Sequence, residues 1–254
     1  MRQLGYNVIY FIQLSRFFGL SSALYLMRKI VFSSSHATIN IRIPAFRNTV
    51  QIRKSESDLA IFYQVFCELQ YNLNHFIHET PGLIIDAGSN VGYSCLYFAG
   101  QYPAATIIAV EPEGTNFAQL KKNTQGYENI RPIQAGIWYK NEMIHIQDPE
   151  ESNASFQVES GEGHGSAIEG VTIPHILSNS GFNEIDILKM DIEGAEFQLF
   201  NHNPHEWLTK TRCLIIELHD NFKPGTSAHF FREMSKYNWF TVVSGENIVC
   251  IKQN

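Results

Sequence analysis

Apolar and polar positions fall into distinct textures along the chain. From Leu4 to Phe32, Leu, Ile, Phe and Tyr dominate, but Asn7, Gln13, Arg16, Arg28 and Lys29 interrupt them and Gly19-Leu20-Ser21-Ser22 reads as a break. That pattern is too broken for a membrane span and has no cleavage site of a signal peptide, so two amphipathic helices packed on the main domain are expected. Peripheral contact with a membrane through residues 4–32 is the other reading. Thr38–Ile43 and Val50–Arg53 alternate with period two and predict short strands. Ser55 or Ser57 then caps a helix whose apolar stripe is Leu59, Phe62, Tyr63, Phe66 and Leu69.

From Leu83 onward, apolar runs alternate with helix-like stretches, the texture of a parallel sheet covered on both faces. Strands are expected at 83–86, 106–110, 130–134, 185–190 and 214–218, and helices at about 92–101, 114–124, 195–200 and 226–236. Trp239–Val243 and Ile248–Lys252 are separated by only four residues, too few for a crossover helix, so they form an antiparallel hairpin. The fold class is therefore α/β: a Rossmann-like class I methyltransferase sheet of seven mostly parallel strands with an antiparallel terminal hairpin, rather than the six parallel strands of a nicotinamide-binding domain. Residues 1–80 are read as an N-terminal helical and β extension packed on the core, and 81–254 as the methyltransferase domain. Residues 148–170 lack an apolar period and are expected to be an irregular lid or binding loop.

Composition narrows the class. The chain has 254 residues, 44% hydrophobic and 17% charged, with a net charge of -6. A disordered chain or coiled coil is excluded, and broad phosphate-backbone binding, which needs a basic face, is disfavoured. No Asn-Pro-Pro-aromatic tetrad of amino-methylating enzymes is present, so no nucleic-acid partner is expected. Cys67, Cys95, Cys213 and Cys250 form no Cys-x-x-Cys pair, and read as reduced, mostly buried thiols of a cytoplasmic protein, in which the sequon Asn153-Ala154-Ser155 carries no glycan.

Candidate chemistry starts at Asp86-Ala87-Gly88-Ser89-Asn90-Val91-Gly92, which follows the first strand and opens a helix. Gly88 and Gly92 would let backbone approach a ligand. Asn90 stands where a dinucleotide fingerprint needs its second glycine, so a diphosphate is disfavoured and the amino-carboxylate of S-adenosylmethionine fits better. Asp86, Gly88, Ser89, Asn90 and Gly92 are the candidate cofactor residues in this loop. Glu111 closes the second strand, placed to accept hydrogen bonds from ribose hydroxyls.

These pieces, with Ser57-Asp58, Val110-Glu111-Pro112, Leu188-Lys189-Met190-Asp191-Ile192-Glu193-Gly194-Ala195-Glu196 and Ile216-Glu217-Leu218-His219, resemble the FkbM family of S-adenosylmethionine-dependent methyltransferases over about 50 to 220. Lys-x-Asp-x-Glu-Gly-x-Glu is the specific part. Two departures are Val171-Thr172-Ile173-Pro174-His175, where the family usually has an Asp after the Thr-aliphatic pair, and Gln134-Ala135-Gly136, which lacks the acidic residue many methyltransferases aim at adenine. The resemblance implies methyl transfer to glycan or polyketide hydroxyls.

Asp191 ends the fourth strand, where open parallel sheets bind ligands. Lys189 is a charge inside an apolar strand and must pair with a carboxylate or lose its proton. Glu193 and Glu196 would be neighbours on a helix face, with Asp191 read either as functional or as the helix cap. Asp191, Glu217 and His219 can converge on a divalent cation, Mg or Mn, or His219 can be a general base. Asp191, Lys189 and His219 are the catalytic candidates. His36, His75, His78, His145, His202, His205 and His229 read as surface or loop residues. The favoured function is transfer of a methyl group from S-adenosylmethionine to a small-molecule or glycan hydroxyl, with Phe156, Trp138 and Tyr139 as stacking candidates for a sugar. A non-catalytic cofactor-binding module and a nicotinamide-dependent oxidoreductase are the alternatives.

Overall fold

A computed structural model describes residues 2–54, 56–74, 76–77, 79–147, 157–160 and 166–253. The head is two helices, α1 (Arg2–Phe18) and α2 (Leu20–Phe32), broken at Gly19 as expected, followed by the antiparallel pair β1 (Thr38–Ile41) and β2 (Val50–Arg53) and by α3 (Asp58–Phe66). Four elements then alternate, β3 (Leu83–Ala87), α4 (Tyr93–Gln101), β4 (Thr106–Val110) and α5 (Gly114–Thr124), before β5 (Ile130–Ile133). A run of four strands, β6 (Gly136–Ile137), β7 (Glu142–Gln147), β8 (Gln157–Ser160) and β9 (Ser166–Val171), precedes α6 (Ile173–Ser180) and β10 (Ile185–Met190). The chain continues through α7 (Glu196–Asn201), α8 (His205–Leu208), β11 (Thr211–Ile216), α9 (Thr226–Met234), β12 (Trp239–Ser244) and β13 (Asn247–Lys252).

The main sheet has the order β12-β13-β11-β10-β3-β4-β5, with β13 antiparallel to both neighbours and the remaining pairs parallel. Its central strands are largely apolar because both faces are covered, with Asp86 in β3 and Asp186 and Lys189 in β10 as charged exceptions. Ile84, Ile107, Ile187 and Ile215 face one core, while Leu83, Ile85, Ile108, Leu188 and Leu214 face the other, as a period of two requires. The head belongs to the first core. Leu14, Ala23 and Leu26 are fully buried there, and Tyr10 stacks on Tyr63 of α3 with ring centroids 4.0 Å apart. Each buried Leu contributes about 2 kcal/mol. The four cysteines are free and buried.

Several expectations are corrected. Ser57 precedes α3 but makes no capping hydrogen bond, and Ser55 lies outside the described residues. Asp58 takes over instead: buried, it accepts from Arg53 N (2.8 Å), Nε (3.0 Å) and Nη2 (2.8 Å), tying β2 to α3. The helix stops at Phe66, and Leu69, at φ 55°, lies beyond it. The expected irregular segment 148–170 contains β8 and β9, which join β6 and β7 in a second sheet of order β6-β9-β7-β8. The sequon at Asn153 and the stacking candidate Phe156 lie outside the described residues, as do His75 and His78. Helix α6 was not anticipated, although Thr172 Oγ1 accepts from His175 N (3.2 Å) and Gly181, at φ 87°, ends it.

Candidate active site

The turn after β3 is built on backbone bonds: Gly88 N and Ser89 N both donate to Val110 O (3.0 and 2.9 Å), and Ser89 Oγ donates to Asp86 O (2.7 Å). Gly88 has φ 79°, and a Cβ there would stand 1.7 Å from the Asp191 carbonyl oxygen. Gly92 has φ 90°, and its Cβ would meet Leu120 Cδ1 at 2.6 Å. The space that a side chain would need at each glycine is thus taken up by the protein itself, while the Gly88 backbone also lines the cleft. Asn90, at φ 46°, takes the left-handed conformation that Asn tolerates better than most residues. Its N–H donates to Glu111 Oε2 (2.8 Å).

Glu111 is buried at the tip of β4, where Oε1 also accepts from Glu113 N (3.0 Å). Burial pushes its carboxyl up to about 7, against the lowering effect of those two N–H donors. Two of about four lone-pair sites are engaged, which leaves acceptor capacity toward the cleft that Glu111 lines with Gly88, Ser89, Asn90, Pro112 and Asn116.

Lys189 meets the requirement its sequence position imposed. Buried in β10, its Nζ lies 3.3 Å from Asp86 Oδ1 and 3.7 Å from Asp191 Oδ2, and donates to Gly88 O (2.6 Å). Burial opposes its charge, but Asp86, Tyr71 and Asp191 outweigh burial and hold the ammonium protonated. Asp86 is consequently not at the cleft surface. Fully buried, it is occupied by Lys189 and by donation from Ser94 Oγ and Cys95 Sγ, and it supports the loop from behind.

Beyond β10 the chain turns through Glu193 (φ 54°) and Gly194 (φ 98°). Because α7 starts only at Glu196 with Ala195 before it, Glu193 is not on that helix and Asp191 is not its cap. Glu196 is buried and accepts from Ile192 N (3.1 Å), Gly194 N (2.8 Å) and the His219 ring at Nδ1 (2.9 Å). Glu217 and His219 lie just past β11, and Glu217 N continues the ladder to Met190 O (3.0 Å). His219 Nε2 faces Glu193 Oε2 (3.4 Å), Glu217 Oε1 (3.5 Å) and Asp191 Oδ1 (3.7 Å). Burial disfavours a charged ring, but Glu196, Glu217 and Asp191 prevail and raise His219 to about 11. One ligand atom each from Asp191, Glu217 and His219 lies within 4.8 Å of the others, so the three residues do converge. Burial likewise raises Glu193 to about 8, helped by Asp191.

The cleft also takes residues that sequence reasoning missed: Ile61 and Gln64 of α3, Tyr71, Gly136 and Ile137, and Glu246 from the β12–β13 turn. Only Glu246 carried a local signal, an acidic residue in a tight hairpin turn. Trp138 and Tyr139 are not among the lining residues. Trp138 Nε1 donates to Glu142 Oε1 (3.1 Å), and Tyr139 stacks on His202 at 4.1 Å.

Placing an antiparallel last strand between two earlier ones distinguishes the sheet of Rossmann-like methyltransferases from dinucleotide-binding sheets, and that insertion is present here. The family model described as the methyltransferase FkbM domain matches residues 86–238, more than half the chain, and the chain belongs to that family. The nicotinamide-dependent reading is thereby set aside. Among curated relatives, methyltransferase sdnD of Sordaria araneosa is 24% identical over 191 residues, covering 62% of this chain and 73% of its own length. The 2-O-methyltransferase NoeI of Sinorhizobium fredii is 25% identical over 186 residues, covering 66% of this chain and 73% of its own. A solved structure of methyltransferase FkbM from Methylobacillus flagellatus KT superposes with a TM-score of 0.45 at 13% identity, over 72% of this chain and 47% of that one.

Proposed function

We propose that this methyltransferase transfers the methyl group of S-adenosylmethionine to a hydroxyl of a small molecule or glycan, a sugar hydroxyl above all. The observation that carries the reading is Asp191. Its side chain is 30% exposed at the tip of β10, and its backbone carbonyl is pressed against the glycine loop. Cofactor and acceptor sites would thus share one piece of backbone.

The residues fit the cofactor. A buried Glu111 carboxylate with acceptor capacity lines the cleft, suited to two ribose hydroxyls; Ser89 and Asn90 would hold the amino-carboxylate end, and Pro112, Gly136 and Ile137 offer a wall to the base. When bound, S-adenosylmethionine supplies an activated methyl group and its own leaving group. What remains for the chain is to align the acceptor and accept its hydroxyl proton. Asp191 is the group placed for that proton, with Lys189 fixing its orientation from the buried side. His219, held as a cation among Glu193, Glu196, Glu217 and Asp191, organises those carboxylates rather than acting as the base. Asp191, Glu193, Glu217 and Glu246 line the cleft, an acidic wall that accepts hydrogen bonds from a neutral polyol and repels an anionic acceptor. The relative described as a 2-O-methyltransferase supports a hydroxyl acceptor.

A second reading rests on the convergence of Asp191, Glu217 and His219: a divalent cation, Mg or Mn, displacing the ring proton of His219 and held by two carboxylates and Nε2. Incubation with labelled S-adenosylmethionine and a panel of glycans, proteins and carboxylic acids tests the proposal. Base-stable label on glycan supports it. Base-labile methyl ester, label only on protein, or cofactor binding without turnover on any acceptor overturns it. Loss of activity with a chelator and recovery with Mg or Mn selects the metal reading.

A further inference from the structure

We propose that α1 and α2 form a docking surface for an anionic lipid bilayer. Among the described residues, seven of the twelve exposed large hydrophobic side chains fall on these two helices. They are organised in rows. Val8 and Ile12 continue at the same spacing of four into Arg16, and Leu20 and Leu24 continue into Arg28; all six are exposed. Ile9 adjoins the first row, and Lys29 and Phe32, the latter 84% exposed, adjoin the second. Apolar rows ending in long cationic side chains suit an interface where the hydrocarbon enters acyl chains and the guanidinium meets headgroups.

Charge identifies the occupant. Residues 1–55 hold eight Lys or Arg and no Asp or Glu, whereas residues 56–254 hold eleven Lys or Arg and all 25 acidic residues. Of the head's cations, Arg53 is neutralised by Asp58, and Lys54 Nζ caps the end of α2 on Ile30 O (2.9 Å) and Ser33 O (3.0 Å). Arg16, Arg28 and Lys29 have no carboxylate partner among the described residues. A second copy docking through the same face would set these cations against one another. No helix among the described residues is long and apolar enough to cross a membrane, so the contact is with the surface. On the protein side, α1 rests on α3, whose Ile61 and Gln64 line the cleft, so a bilayer under the head would lie one helix from the site.

The test is co-sedimentation of the full chain with vesicles of phosphatidylcholine alone and of phosphatidylcholine with phosphatidylglycerol, at low and high salt. Binding to the anionic vesicles should be about 100-fold tighter at low salt and should weaken with added salt. Leu24→Gln with Phe32→Ser, both exposed, should keep the fold by circular dichroism and lose vesicle binding. Arg28→Glu with Lys29→Glu should lose only the preference for anionic lipid. No binding to either vesicle, or unchanged binding by both variants, overturns the proposal. A dimer by light scattering that Leu24→Gln with Phe32→Ser disrupts, without vesicle binding, assigns the face to a second copy. None of these readouts depends on methyl transfer.

Discussion

The backbone carbonyl of Asp191 occupies the volume that a side chain on Gly88 would need, 1.7 Å from an ideal Cβ. Relief requires moving either the glycine loop or the tip of β10, and φ 79° adds strain for any other residue. Gly88→Ala should therefore lower stability by about 2–4 kcal/mol and abolish cofactor binding. Thermal unfolding and titration calorimetry with S-adenosylhomocysteine check both effects.

Glu111 gives a pH signature. Its carboxyl sits at about 7 in the folded chain, above its ordinary value, so its contribution to stability is present at low pH and is lost as pH rises through about 7. Ribose hydroxyls donating to Glu111 favour the ionised form, so ligand binding should release a proton. Affinity for S-adenosylhomocysteine should accordingly rise between about pH 5.5 and 8. Calorimetry in buffers of different ionisation enthalpy should detect that proton, and Glu111→Gln should remove both the release and the slope.

The buried pair of Lys189 and Asp86 should be costly to halve. Lys189→Met leaves Asp86 uncompensated in a dry core, and a loss of about 3–5 kcal/mol is expected in urea unfolding. Lys189→Met with Asp86→Asn removes both charges and should recover much of that stability. The recovered variant should still bind cofactor poorly, because the bond from Nζ to Gly88 O is gone.

Asp191→Asn and His219→Ala should each lower kcat by about 100-fold, with the dissociation constant for S-adenosylhomocysteine nearly unchanged. Glu196→Gln should act differently. Glu196 fixes Ile192 N, Gly194 N and His219 together, so both turnover and melting temperature should fall. Full activity in Asp191→Asn would remove it from the chemistry.

The sheet was legible because its strands are apolar on both faces and the linker before β13 is too short for a crossover. Lys189 was legible because a lone charge in such a strand dictates its own partner. At Gly88 and Gly92 the crowding comes from Asp191 and Leu120, residues about a hundred and about thirty positions away in the chain, which no local spacing shows. Local spacing misled at Glu193, which a left-handed turn before α7 keeps off the helix. Tyr71 reaches the cleft from a segment whose path only the packed structure determines. The small sheet of β6 to β9 was hidden because its apolar positions, Ile144 and Ile168 among them, are sparse and set in polar surroundings.

Strand β13 lies between β11 and β12, although β12 precedes it in the chain. Without β13, β11 would keep an open edge and β12 would have no neighbour in the sheet. The two strands of the hairpin therefore depend on each other for their place in the sheet, and Glu246 in the turn between them lines the cleft. A frayed hairpin would therefore withdraw Glu246 from the cleft and expose β11 to edge-to-edge pairing with another chain.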